Sequence, residues 1–268
     1  MDGRFHREFS VQSARKKGLK MSAAVSIRWT GEVSPRFKAR TAGILYLLSG
    51  EAYSFAESNV LGKLVVPGDA AATARNILAH ETLFRMGYAA ELIETVLFLA
   101  VTLILYDLFR PVNKRISLSA AFFSLTGCIV YALGSLLHLA PLALLGGAPY
   151  LGAFKPDELQ ALSLLTLTLR TQSSSIYMVF FGCYNLLLGF LIFRSKFMPR
   201  ILGVFMAIAG LAYQFYLWPP LANQLFPYFL APAGALGELS SILWLIVFGV
   251  NSERWKQQRD AALGRSNA

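Results

Sequence analysis

The chain has 268 residues, 55% of them hydrophobic and 15% charged, with a formal net charge of +10 and 2 cysteines. A water-soluble globular domain is excluded by the length of its apolar runs: residues 41–60, 86–109, 117–145, 174–193, 201–221 and 228–250 each approach the roughly 20 residues that carry a helix across about 30 Å of hydrocarbon. Nucleic acid is excluded as a partner by where the positive charge sits, because Lys and Arg cluster beside the ends of these runs, where orientation and anionic lipid headgroups account for them.

Taken in chain order, the first 38 residues are basic and poor in large apolar side chains, which reads as a disordered cytoplasmic tail, with Met21 as an alternative start. Ser54-Phe55-Ala56 has small residues at signal-cleavage spacing. The long basic segment before the first run and Glu51 within it favour retention of that run. Val65-Val66-Pro67-Gly68-Asp69 turns the chain, and Asp69 is placed to cap a short helix through Ala70, Ala74, Ile77 and Leu78, too short to span and expected on the outer interface.

The second run, 86–109, is apolar almost all round over 92–105, as is 186–193 in the fourth, the pattern expected where lipid lies outside. Gly146-Gly147-Ala148-Pro149 ends the third run, and Pro156 or Asp157 starts a helix with Leu159, Leu162, Leu165 and Leu169 that leads into the fourth. Tyr213, Tyr216 and Trp218 before Pro219-Pro220 read as interfacial rings closing the fifth run, and Trp255 follows the sixth. Cys128 and Cys183 fall near mid-run, outside any CxxC spacing, and read as small buried residues.

Positive charge alternates between connections. The segment through Arg40, the hairpins 110–115 and 194–200, and the C-terminal Arg254, Lys256 and Arg259 hold most of it. Connections 61–85 and 146–173 carry Lys63, Arg75, Arg85, Lys155 and Arg170, partly offset by Asp69, Glu81, Asp157 and Glu158. The positive-inside rule then predicts an all-α polytopic membrane helical bundle of six transmembrane helices with both termini cytoplasmic: tail 1–38, membrane domain 39–251, tail 252–268.

Val65-Val66-Pro67-Gly68-Asp69-Ala70-Ala71-Ala72-Thr73-Ala74, then Leu83-Phe84-Arg85 and Leu108-Phe109-Arg110-Pro111-Val112-Asn113, resemble a bacterial membrane family catalogued as a domain of unknown function, number 4386. Val179-Phe180-Phe181-Gly182, Pro199-Arg200-Ile201-Leu202-Gly203 and Gly237-Glu238-Leu239-Ser240 extend the resemblance over about 40–250. It implies a multi-pass protein of the bacterial inner membrane. No activity, cofactor or catalytic residue comes with it.

Chemistry must therefore be sought among the ionisable groups within the runs, each costing roughly 2.5 to 3.5 kcal/mol to insert. With the topology above, Glu57, Glu91, Glu94, His138 and Arg170 fall in the outer half of the membrane, and Glu51 and Glu238 nearer its middle. Glu91 and Glu94 share a helical face, and Arg170, Ser174, Tyr177, Phe181 and Tyr184 form a stripe. Gly127, Tyr131, Gly134 and His138 share one face of the third run; Ala233, Gly237 and Ser241 are spaced for close helix packing beside Glu238. We expect one outward-opening polar cavity in which Glu57, Glu91, Glu94, His138, Arg170, Tyr177 and Glu238 bind, sense or pass a small or amphiphilic ligand. Arg170 is expected to pair with Glu57, Glu91 or Glu94, against the alternative that it snorkels to the headgroups.

An intramembrane lipid hydrolase or transferase using Glu91, Glu94 and Glu238 is the rival reading, and a non-catalytic membrane subunit the third. His80-Glu81 opens a zinc HExxH pattern, but Phe84 stands where its second histidine belongs, and neither a GxSxG elbow nor a GxxxxGK loop occurs. No metal and no cofactor are expected. Membrane lipids are the other expected partner.

Overall fold

The computed structural model describes residues 34–266, with no strand among them. The segment 1–33, read above as tail, lies outside the described residues. Helix α1 (residues 35–64) begins at Pro35, where the missing N–H costs no hydrogen bond, so it reaches back into the segment assigned to the tail. Pro35–Ser54 is α-helical, Phe55–Leu61 is π-helical, and Gly62–Leu64 closes the helix. Gly68, with φ of 79°, makes the turn that follows, and the Asp69 carboxylate accepts the Ala72 N–H at 2.8 Å to start α2 (Ala70–Ala79). Ile77 of α2 is fully buried in an apolar cluster with Val60, Leu61, Leu64, Phe84 and Leu167, so this short helix is folded onto the ends of longer ones.

Helix α3 (Glu81–Phe109) is joined to α4 (Lys114–Leu145) by a tight hairpin in which the Asn113 side chain accepts the Ile116 N–H at 3.1 Å. Gly146 and Gly147, the latter at φ 71°, stop α4. Helix α5 (Pro156–Arg194) runs unbroken for 39 residues, about 58 Å. Arg170 therefore lies well inside a helix and not at its start. Helix α6 (Arg200–Leu217) ends in a 3-10 turn, and α7 (Pro219–Val247) begins at the paired prolines. The sixth run starts about nine residues earlier than hydropathy alone placed it, because Pro219 and Pro220 occupy first-turn positions that need no N–H partner. Helix α8 (Ser252–Ser266) follows and is pinned by the Trp255 indole N–H donating to Leu108 O at 2.8 Å.

Five helices, α3 to α7, are long and apolar enough to cross a membrane. Helix α1 is long enough but carries Arg36, Lys38, Arg40, Glu51, Glu57 and Lys63. Side by side, α1 packs on α3, α3 on α4, α4 on α5, α5 on α6, α6 on α7, and α7 returns to α1, giving a closed ring. Tyr46, Phe98, Tyr131, Tyr177, Phe181 and Tyr184 fill its middle. Cys128 is buried and Cys183 half-buried, both as free thiols.

One wall of the ring is backbone against backbone. A Cβ placed on Gly203 of α6 would stand 2.6 Å from both Gly189 O and Phe193 N of α5, closer than any side chain tolerates. Gly203→Ala should therefore lower the melting temperature in detergent, by the equivalent of about 1–3 kcal/mol. Gly264→Ala, where nothing lies within 4 Å, should leave it unchanged. Equal melting of the two variants would contradict the α5–α6 contact.

Candidate functional site

The residues singled out by sequence separate into two groups. Around Arg170, which is 2% exposed, the guanidinium sends Nη1 to Glu57 Oε2 at 2.8 Å and Nη2 to Glu91 Oε1 at 2.6 Å and to the Tyr131 hydroxyl at 3.2 Å. Its flat face lies 5.5 Å from the Tyr131 ring centroid. Ser174 donates to Glu57 Oε1 at 3.0 Å. The expected pairing holds with Glu57 and Glu91; Glu94 takes no part in it, and burial rules out snorkelling.

His138 extends this network. Its Nε2 lies 3.0 Å from Phe84 O, a carbonyl that only accepts, so Nε2 carries a hydrogen. Its Nδ1 lies 2.7 Å from Glu91 Oε1. Two lone pairs cannot face each other at that distance, so the Glu91–His138 pair holds a proton between them and carries no net charge. The guanidinium, lying between Glu57 and Glu91 with His138 behind Glu91, makes one connected network. It ties α1, α3, α4 and α5 together. Glu57 keeps 25% exposure through a groove of about 510 Å³ between α1 and α5, lined by Leu61, Val65, Leu164 and Leu167.

The second group surrounds a pocket of about 170 Å³, lined by buried Tyr46 and Glu94 and by half-buried Tyr53, Tyr213 and Glu238. Glu94 on α3 accepts the Tyr177 hydroxyl at 3.0 Å and Thr95 Oγ1 at 3.2 Å. Glu238 on α7 accepts the Tyr213 hydroxyl at 2.6 Å and Asn185 Nδ2 at 3.3 Å. Both carboxyl groups line the cavity together with Tyr46, Tyr53, Tyr177 and Tyr213. The Tyr46 hydroxyl is buried beside the Glu238 carboxyl, outside ordinary hydrogen-bond geometry. Tyr53 stands between the groups, its ring 5.9 Å from that of Tyr131 and 6.3 Å from that of Tyr177. Glu51 belongs to neither group and faces outward.

Glu238 is carried by a π-helical turn, Ala235–Leu239, and Glu57 by another, Phe55–Leu61. Such turns insert a residue into a helix and re-aim its face, and they recur at functional sites. Gly237, one residue before Glu238, lets α7 approach α6 so closely that a Cβ there would stand 2.6 Å from Phe205 O.

Sequence reasoning missed Tyr46, Tyr53, Tyr213 and Asn185. A signal existed for the first two: Ala42, Tyr46, Ser49, Tyr53 and Glu57 recur at helical spacing along α1 and turn inward as a stripe. Tyr213, read as an interfacial ring, instead turns its hydroxyl to Glu238.

A family described as a domain of unknown function, DUF4386, matches residues 41–249, the whole ring of helices. The chain belongs to this family. An uncharacterized protein of Archaeoglobus fulgidus is 31% identical over 155 residues, covering 58% of this chain and 78% of that one. No solved structure matches the chain.

Because removing one partner of a buried ion pair strands the others, Arg170→Gln should cost about 3–5 kcal/mol. In contrast, Arg85→Gln, which breaks the exposed Arg85–Glu81 pair at 2.7 Å, should cost under about 1 kcal/mol. Adding Glu57→Gln to Arg170→Gln should cost less than Glu57→Gln alone. Strict additivity of the two, read by detergent melting, would contradict the coupling.

Proposed function

We propose that the protein is a six-span inner-membrane protein that binds a small ligand inside its helix ring, for sensing or passage, with Glu94, Glu238 and Tyr177 at the ligand and the Arg170 network holding the walls. The observation that carries this reading is the pocket among the helices into which two carboxyl groups and the Tyr46 hydroxyl open. Polar groups at membrane depth are costly unless bonded or used, and five helices contribute them here. The volume sets the ligand's size. A cavity of about 150 Å³ accommodates benzene, whereas drug-sized sites occupy about 300–1,000 Å³. The commitment of Glu91 to Arg170 and His138 weighs against the lipid-modifying reading, which needs it as an acid or base.

The sixth span is α1. Its 30 residues reach about 45 Å, and Arg40 donates to Val247 O at 3.0 Å, so the start of α1 lies beside the end of α7. An even number of crossings follows from that neighbourhood. Lys38 meets Asp107 at 3.1 Å, Trp255 meets Leu108 and Lys196 N–H meets Gln258, so the start of α1, both hairpins and α8 gather at one end, which the charge rule assigns to the cytoplasm.

Two measurements test this. Single cysteines at 70–80 or 150–158 should react with an impermeant thiol reagent on intact cells and those at 113–117 should not; the reverse pattern would overturn the topology. For the cavity, a panel of benzene-sized fragments of mixed charge should include members that raise the melting temperature of the wild type and not of Ser49→Phe, whose ring would occupy the space beside buried Ser49. No shift from any fragment, or equal shifts in both proteins, would defeat the binding reading.

A further inference from the structure

The buried acids of this protein divide by what balances them. Glu57 and Glu91 share the Arg170 guanidinium, and Glu91 also has His138. Glu94 and Glu238 have only neutral donors: two hydroxyls for the first, a hydroxyl and an amide for the second. No Lys, Arg or His lines the cavity they share. Its remaining wall is largely aromatic, with Phe98 and Phe181 beside the four tyrosines. Aromatic faces present negative potential, carboxylates add charge, and the low-dielectric surroundings leave both unscreened.

An anion entering this space would meet repulsion from every side, and beside a neutral molecule the buried carboxyl groups would keep their protons, whereas a cation lets them ionise. A cation supplies what Arg170 supplies to the other pair. A metal ion is a poor match, because hard cations take six or more close oxygen ligands and have no use for ring faces. Ring faces with a carboxylate are the recognition chemistry of organic ammonium groups. The Tyr46 hydroxyl, 3% exposed and on the cavity wall beside Glu238, adds an oxygen whose lone pairs can accept an ammonium N–H.

We infer that the cavity bounded by Glu94, Glu238 and the tyrosines is a site for a small organic ammonium ion, of about benzene's bulk, with Tyr46 accepting from its N–H. This rests on the ligand-binding reading above and names its ligand class.

The test uses the full chain in an amine-free maltoside detergent at neutral pH and matched ionic strength, with binding read by saturation-transfer NMR. The probes share one shape: tert-butylammonium, tetramethylammonium, tert-butanol and pivalate, with potassium chloride as the inorganic cation. Both ammonium ions should bind, and the alcohol, the carboxylate and potassium should not compete with them. Glu238→Gln and Glu94→Gln should each weaken ammonium binding about tenfold or more, the effect of about 1.4 kcal/mol. Tyr46→Phe should weaken tert-butylammonium severalfold and leave tetramethylammonium, which has no N–H, unchanged.

If tert-butanol or pivalate binds as well as the ammonium ions, the cation assignment is overturned while the cavity reading stands. Displacement by potassium would overturn it in favour of an inorganic ion. Equal loss of both ammonium probes in Tyr46→Phe would overturn the acceptor role and leave Tyr46 to packing. Binding of no probe, with no fragment shift in the wild type, removes the cavity reading itself. Should Glu94→Gln fail to fold, Glu238→Gln and the wild-type comparison of tert-butylammonium with tert-butanol decide the question.

Discussion

A guanidinium cannot be deprotonated at any pH a cell sustains, so once Arg170 is placed inside the ring it dictates the arrangement of its neighbours. Two carboxylates must come to it from other helices, and they come from α1 and α3, which fixes the depth of both relative to α5. His138 then meets Glu91 from α4, and Phe84 O receives its second ring nitrogen. Four of the six ring helices are registered by one buried charge. The same demand settles the character of the cavity: with Glu57 and Glu91 spent on Arg170, the acids left over, Glu94 and Glu238, face space and neutral hydroxyls.

The walls are built by different means on different sides. Between α5 and α6, Gly189 and Gly203 bring the backbones into contact, and Gly182 and Gly210 repeat the device, a Cβ at Gly210 meeting Leu186 N at 2.7 Å. Between α4 and α5, Gly134 makes room for Ser173, whose hydroxyl donates to Val130 O at 2.8 Å. Toward α1 and α3 the filling is aromatic instead, with Tyr46 edge-on to Phe98 at 5.5 Å and Phe98 edge-on to Tyr184 at 5.6 Å. Backbone contact leaves no free volume, whereas rings meeting at angles leave the irregular gaps from which a cavity is made.

Much of this was legible before any coordinates. Long apolar runs name helices because lipid offers the backbone no other partner, and local caps such as Asp69 and Asn113 act through residues three positions away. The Arg170 pairing was readable too, since only a few acids share its depth and an unpaired guanidinium there is prohibitive. What lay beyond reach was azimuth. Hydropathy gives depth along a helix but not which neighbour a face meets, so one cavity was expected where the ring makes an ion network reached by a groove and a separate pocket. Tyrosine was the hardest residue to place, because a ring with a hydroxyl suits an interface and a polar interior equally: Tyr213 points inward, while Trp218 nearby is 67% exposed.

The π-helical turns give the cavity a property that composition does not record. A turn of this kind holds one residue more than the α-helical turn it replaces, and each residue of an α-helix advances the chain by about 100° around its axis. The turn at Ala235–Leu239 is thus a phase shift stored in α7: wound as plain α-helix, the same sequence would carry the carboxylate of Glu238 away from Tyr213 and Asn185 and toward a different neighbour. The charge facing the cavity is a matter of helical phase, and a one-residue deletion in that turn rewrites it as surely as replacing the glutamate.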